Sequence, residues 1–424
     1  MDTNLGPLLN SYEYDIDKLS HKQRSTIPSP DPALGQTTLS AADRSSPRSY
    51  IPVCEPDIDA AALENLQACI EENWISSGGR FVTEFESQFA ELTGVRHCIA
   101  TSSGTAALHL LLAACGVKSG DEVIIPSFTM VAVASSVVHL GARPVFVDCD
   151  EGSENICLEE ILKKVNVRTR AIVVVHTYGR PLDVSALLQQ VDTDRIAVIE
   201  DAAEAHGATI HGKTVGSLAY GAVFSFYANK IITTGEGGAI TTDNDDLAMV
   251  CRTMRDHAFS PERHFWHRYR GYNFRMTNLQ AAVGVSQLAK FHQLCDARKK
   301  IAARYTQAFS NFSGLILPQE DQGTEHAYWV YFLRTSPGSI SRDQLRLELA
   351  RNGIETRTAF VPLHLQPAYR EFYDESDNFK NAEQLAATGL YLPSSSKLTS
   401  VEIEYVCLNV CHILKELRGA STYS

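Results

Sequence analysis

The run Ala222-Val223-Phe224-Ser225-Phe226-Tyr227-Ala228-Asn229-Lys230, continued by Thr233-Thr234-Gly235-Glu236-Gly237-Gly238, reads as an apolar strand, a lysine and a glycine-rich turn. A lysine held in that setting is partly desolvated, which disfavours its ammonium and suits it to work as a nucleophile or base. Most lysines are solvated surface charges, so the reading depends on what else in the chain could serve the same chemistry. Working outward, short apolar runs alternate with helical stretches: Glu122–Ile125, Pro144–Val147, Ala171–Val175, Ile196–Glu200, Ala222–Phe226 and Ala239–Thr242 are the expected strands. Strands separated by helices imply an α/β fold with a mostly parallel sheet and crossover helices.

Upstream, Ala62, Leu63, Leu66 and Ile70 recur at helical spacing over 59–71, and Phe81, Phe85, Phe89 and Leu92 do so in the next segment. Beyond about residue 300 the pattern changes to a long helix followed by mixed strand and helix. The expected organisation is therefore a large α/β domain over 50–300 and a smaller α+β domain over 301–424. Residues 1–49 are rich in Ser, Pro, Asp and Thr without an apolar period, and are expected to be a disordered extension.

The 424 residues are 44% hydrophobic and 21% charged, with a net charge of -12. That balance argues against nucleic acid or an anionic membrane as the main partner. No apolar run has the length of a membrane span, and the N-terminus lacks the apolar core of a signal peptide, so a cytoplasmic location is expected. The ten cysteines form no CxxC pair, which favours core thiols over a metal site.

Two further segments bear on the lysine. Ser102-Ser103-Gly104-Thr105-Ala106-Ala107-Leu108 opens an alanine- and leucine-rich helix; a helix start of small residues exposes N–H groups and a positive dipole end, a good phosphate site, although an ordinary capped helix reads the same way. Ile199-Glu200-Asp201-Ala202-Ala203-Glu204-Ala205-His206-Gly207 follows an apolar strand and so lies at the carboxyl end of the sheet, where open α/β sheets place ligands. There Asp201 is either a turn former or a buried carboxylate facing a cationic ligand nitrogen, with Glu204 and His206 as neighbours, although a histidine there also reads as a hydrogen-bonded structural residue. A phosphate-binding helix start, a carboxylate and a lysine, each at the same sheet edge, form the set that pyridoxal phosphate requires. Ser225 could add a hydroxyl to the phosphate.

From about 50 to 415 the chain resembles the DegT/DnrJ/EryC1/StrS sugar aminotransferases. The resemblance rests on Ser103–Leu108, Glu200–Ala205, Ser225-Phe226 with Lys230, Gly235–Gly238, and Gly271-Tyr272-Asn273-Phe274-Arg275-Met276. It implies the type I (aspartate aminotransferase) fold of pyridoxal phosphate-dependent transferases. Lys230 would hold the cofactor covalently and shuttle a proton, and Asp201 would pair with the pyridinium nitrogen. Gly104, Thr105 and Ser225 would hold the phosphate, and Glu204 would approach the cofactor hydroxyl. Asn273 would reach the phosphate in the neighbouring subunit, giving a homodimer with shared active sites. The activity implied is amino transfer from glutamate, leaving 2-oxoglutarate, to a nucleotide-linked 4-keto-6-deoxysugar. The wording of 74–86, 225–238 and 267–284 is similar to the subgroup that acts on GDP-4-keto-6-deoxymannose, with UDP- and dTDP-linked ketosugars as alternatives. A dehydratase of the same family would have histidine in place of Lys230. A non-catalytic regulatory protein would not need Lys230, Asp201 and Ser225 together.

The chain departs from the family's pattern twice. Met130 follows Pro126-Ser127-Phe128-Thr129 where an aromatic residue usually stacks on the cofactor ring, which leaves Met130 or Phe128 for that role. Ala258 stands where glycine is usual after Arg255-Asp256-His257. Arg357, in a segment expected to line the cleft, is as readily a surface residue as a substrate ligand.

Overall fold

The computed structural model describes residues 46–260, 263–374 and 376–421. Helices α1 (Ala60–Glu71) and α2 (Arg80–Thr93) lead into β1 (His97–Thr101) and α3 (Gly104–Ala114). Then come β2 (Glu122–Pro126), α4 (Ala132–Val138), β3 (Arg143–Val147), α5 (Leu158–Lys164), β4 (Thr169–Val175), α6 (Ser185–Gln190), β5 (Ala197–Asp201), β6 (Gly221–Ser225) and β7 (Gly238–Thr242). These strands make one seven-stranded sheet in the order β1-β7-β6-β5-β4-β2-β3. All are parallel except β7, which runs antiparallel to both β1 and β6. The reversal follows from the connection: β6 reaches β7 through the glycine-rich turn after Lys230, with no crossover helix.

Alternate residues of each strand enter different cores, as a period of two requires. Val123, Ile125, Val173 and Ile199 pack on one face with α2 and α3, whereas Ile124, Ile172, Val174 and Val198 pack on the other with α5 and α6. Both faces are covered, which is why these strands read as continuous apolar runs. Helix α1 forms where its spacing predicts, but its buried side is Ala62 and Cys69; Leu63 and Ile70 face outward, 69% and 66% exposed.

After α7 (Asp245–Arg255), α8 (Asn278–Ala289) and α9 (Phe291–Phe309), a four-stranded antiparallel sheet forms from β8 (Leu315–Ile316), β9 (Tyr331–Thr335), β10 (Arg357–Thr358) and β11 (Gly389–Leu392). It is flanked by α10 (Arg342–Arg351), α11 (Lys380–Thr388) and α12 (Ser400–Ser421). Helix α9 runs through residue 300, so the expected boundary there falls inside a continuous helix. Ile51 packs in the core of this second unit and bridges Ile354. Of the expected N-terminal extension, residues 1–45 lie outside the described residues, while Arg48 is ion-paired with Glu402 at 2.5 Å and also with Glu55.

Two chain segments approach each other only because glycine lacks a side chain. A Cβ on Gly238 would lie 2.3 Å from the carbonyl oxygen of Ser103, and one on Gly104 would lie 2.8 Å from Cβ of Ser225. The glycines thus let the α3 start, Ser225 and the β7 start close on one point. Ala258, by contrast, takes a left-handed φ of 53° despite its side chain, as does His257 at 58°. Hydrogen bonds from His257 N–H to Tyr272 C=O (2.8 Å) and from Ala258 N–H to Thr253 C=O (3.0 Å) hold that turn, against a cost of about 1 kcal/mol or more for each residue.

Candidate active site

A cavity of about 380 Å³ opens at the carboxyl ends of β4, β5 and β6. Ser103, Gly104, Thr105, Asp201, Glu204, Ser225 and Lys230 all line it, with Met130 at its mouth. Asn273 does not line it; it is exposed and bridges Asp256 instead. A larger cleft of about 720 Å³ lies at the opposite ends of β2 and β3, but none of the candidate residues lines it. It holds two internal ion pairs, Lys164 with Asp377 at 2.5 Å and Arg168 with Glu122 at 2.6 Å.

The helix start is built for an anion. Ser103 Oγ caps α3 by accepting from Ala106 N–H at 3.1 Å. The first-turn N–H groups of Gly104 and Thr105 have no partner in their own helix, and the dipole adds positive charge beside them. Ser225 Oγ accepts from Tyr227 N–H at 3.4 Å, and its own O–H remains to donate. Because a Gly104 side chain would run into Ser225, the backbone donors and the hydroxyl share one cradle.

Two adjacent carboxylates in β5 have different fates. Glu200 is fully buried on the Val198 face and accepts from Gly216, Leu218 and Ala219 N–H and from His176 Nε2. It is a structural residue. Asp201 points the other way, into the cavity, where burial raises its pKa against the pull of Ala203 N–H, Lys230 and His176. Among the described residues only Oδ1 of Asp201 takes a backbone bond, from Ala203 N–H at 3.0 Å.

Lys230 Nζ lies 3.7 Å from the centroid of the Trp329 ring and 3.8 Å from Glu204 Oε1. Burial lowers its pKa, and Glu204, Asp201 and Cys54 oppose that shift. Glu204 Oε2 accepts from Tyr178 N–H at 2.7 Å, and burial pushes this carboxyl up to about 7. An acid raised in the folded state from 4.5 to about 7 keeps a proton that the unfolded chain has released. Its stabilising contribution is full below about pH 4.5 and is lost as pH rises through about 7. The cofactor-free protein should lose thermal stability across that window, and Glu204→Gln should flatten the loss. An equally steep melting-temperature profile in the variant would remove Glu204 as its source.

Three readings that the sequence left open are decided by position. Phe128 does not line the cavity: it is fully buried, 6.0 Å from Tyr178 and 5.9 Å from Phe360, so it is core and not a ring-stacking residue. His206 is also absent from the lining; its ring packs against Phe224 and Phe226, and burial holds it neutral with a pKa of about 3. Arg357 is 63% exposed in its side chain and pairs with Glu355 at 2.7 Å. Sequence reasoning missed the opposite wall, Trp329, Phe360 and Tyr391, which the C-terminal unit supplies. The nearest signal was the aromatic segment Tyr328-Trp329-Val330-Tyr331-Phe332.

The donor set fits pyridoxal phosphate: an anion cradle, a buried carboxylate with a free oxygen for a ring nitrogen, and one desolvated amine. Among the described residues no group of three or more His, Cys, Asp or Glu is placed to hold a metal ion, and no helix is long and apolar enough to cross a membrane. Fold and site together define a pyridoxal phosphate-dependent transferase of the type I fold. A model of the DegT/DnrJ/EryC1/StrS aminotransferase family matches residues 56–411, and the chain belongs to that family of sugar aminotransferases. It is similar to the GDP-perosamine synthase of Caulobacter vibrioides, 42% identical over 366 residues, which span 86% of this chain and 98% of that protein. Among solved structures it is similar to the aminotransferase TlmJ of Streptoalloteichus hindustanus, with 30% identity, a TM-score of 0.81 and coverage of 87% of this chain and 100% of that one. Spr1654 of Streptococcus pneumoniae, solved in its PMP form, is 27% identical with a TM-score of 0.83, covering 88% and 100%.

Proposed function

We propose that the protein transfers an amino group from glutamate to C4 of a nucleotide-linked 4-keto-6-deoxysugar, with GDP-4-keto-6-deoxymannose the first candidate. The observation that carries the reading is one desolvated amine, Lys230 Nζ, in a cavity that also holds a helix N-terminus and the buried Asp201 carboxylate. The 42% identity to a GDP-perosamine synthase supports the choice of sugar.

When bound, pyridoxal phosphate supplies an electron-accepting ring that eases loss of a proton from the carbon bearing nitrogen. Gly104 and Thr105 N–H groups and the Ser225 hydroxyl would hold its phosphate. Asp201 would keep its ring nitrogen protonated, Glu204 would face its hydroxyl, and Lys230 would hold it covalently. With its amine released, Lys230 Nζ would carry the proton from the amino donor's α-carbon to the cofactor's carbonyl-derived carbon, the relocation that amino transfer requires. Trp329, Phe360 and Tyr391 exclude water from that transfer, which strengthens each electrostatic contact inside. Lysine at 230, where the family's dehydratases have histidine, favours adding nitrogen over removing a hydroxyl.

Shared active sites in a homodimer are part of the same proposal. Asn273 is exposed and outside its own cavity, and Leu63, Ile70, Trp74 and Ile75 expose apolar surface. A monomeric mass in solution would remove the role in a neighbouring site from Asn273. The substrate test is a panel of GDP-, dTDP- and UDP-linked 4-ketosugars incubated with glutamate and scored by product mass. Amino-sugar product is expected from the GDP substrate. Product from only the other nucleotides would overturn the GDP assignment, and no product at all would overturn the sugar reading.

A further inference from the structure

We infer that Trp329 is a positioning residue for Lys230, its indole face seating the ε-ammonium when that amine is free of the cofactor and carries its proton. The inference rests on Lys230 as the working amine. Nζ sits 3.7 Å from the Trp329 centroid, while Glu204 Oε1 at 3.8 Å is at ion-pair and not hydrogen-bond distance. The ring face is thus a direct neighbour of the charge, within the range of a cation–π contact.

The indole is held directly by one hydrogen bond, and neighbouring bonds fix the backbone on either side of the contact. Trp329 Nε1–H donates at 2.8 Å to the carbonyl of Asn229, the residue before Lys230, so ring and lysine backbone are tied together. Cys54 Sγ donates to that carbonyl from the N-terminal segment at 3.1 Å. Arg298 Nη1, on α9, donates to the Trp329 carbonyl at 2.7 Å, and Arg298 is buried. Tyr178 and Tyr391 flank the indole at 6.3 Å and 6.4 Å. A ring fixed this firmly offers a constant surface, and a π-face imposes no directional bond that the amine must break on leaving.

The ring quadrupole favours ammonium over neutral amine, so it opposes the effect of burial. The other groups facing Lys230 are Glu204 and Asp201 from the end of β5 and its turn and Cys54 from the N-terminal segment, which favour the ammonium. His206 feels the Lys230 and Arg298 charges from behind and stays neutral. Without the ring's share, Lys230 should lose its proton at lower pH.

The test labels the cofactor-free, full-length protein with acetic anhydride across pH and quantifies acetyl-Lys230 by mass spectrometry against the exposed Lys118. The chain has three tryptophans, and Trp74 and Trp266 are on the surface, so biosynthetic replacement by fluorinated tryptophans changes the ring under Lys230 without changing its shape. The labelling midpoint of Lys230 should fall stepwise with each fluorine, by about one pH unit in total, a tenfold rise in labelling below the midpoint. Trp329→Phe, which keeps a weaker ring face and loses the Nε1–H bond to Asn229, should fall part of the way, and Trp329→Leu should fall with the most fluorinated protein. An unchanged midpoint through the fluorinated series overturns the inference, and that series stands even where Trp329→Leu fails to fold. A normal fluorination response in a protein without amino transfer would remove the reaction and keep the seat. Normal amino transfer with an unchanged midpoint would do the reverse.

Discussion

Replacing Lys230 by alanine should abolish amino transfer, lowering turnover by at least about 10⁴-fold, the scale expected when a nucleophile that is also the acid–base group is removed. Of the residues lining the cavity, Lys230 is the one with an amine, so no neighbour can take over the proton transfer. The fold should survive. The substitution takes a desolvated ammonium out of the interior, and the partner left behind, Glu204, already binds its proton up to about pH 7. Circular dichroism and thermal melting would check the fold, and product mass from the ketosugar panel would check turnover. Near-normal turnover in a folded Lys230→Ala protein would overturn the assignment of the central residue.

The second large effect is expected from Asp201→Asn. The amide keeps the shape and can still accept from Ala203 N–H, so local structure should hold. What disappears is a buried negative charge facing the cavity. In a water-poor site that charge stabilises developing positive charge without reorganising, and removal of one such preorganised group costs about 10²–10³ in turnover. The loss should fall on kcat more than on KM, because the charge acts on the reacting ring and not on the sugar. Unchanged kcat in Asp201→Asn would show that the carboxylate is only a turn former. The difference in size between the two variants is itself informative: one removes a reacting group, the other an electrostatic support.

The six expected strands became strands of the main sheet, because each is an apolar run buried on both faces and bounded by turns. β1 escaped notice: His97-Cys98-Ile99-Ala100-Thr101 has only two larger apolar residues, and its partner β7 lies more than a hundred residues later. The outward side of α1 was equally unreadable, since spacing shows that Leu63 and Ile70 share a stripe with Ala62 and not which way the stripe faces. Within the cavity, Gly104, Thr105, Asp201, Ser225 and Lys230 were legible because each sits next to the end of an element whose direction the pattern reveals. Trp329, Phe360 and Tyr391 were not, because nothing local couples them to Lys230; the folding of the second sheet against the first brings them there. In the sequence Phe128 and Met130 stand as alternatives for covering the cofactor ring. An aromatic residue beside the right motif was drawn by side-chain size into the core, and the exposed Met130 was left at the cavity mouth.

The pairing of Glu200 and Asp201 sets a tolerance on length and not only on identity. One carboxylate serves the fold and the next serves the chemistry because the pleat turns them to opposite faces. Gaining or losing a single residue in β5 would exchange them, pushing a charge that needs four donors into the cavity and withdrawing the one the ligand needs. Insertions and deletions of one residue between Ala197 and Asp201 should therefore be more damaging than most substitutions there, including ones that change the charge.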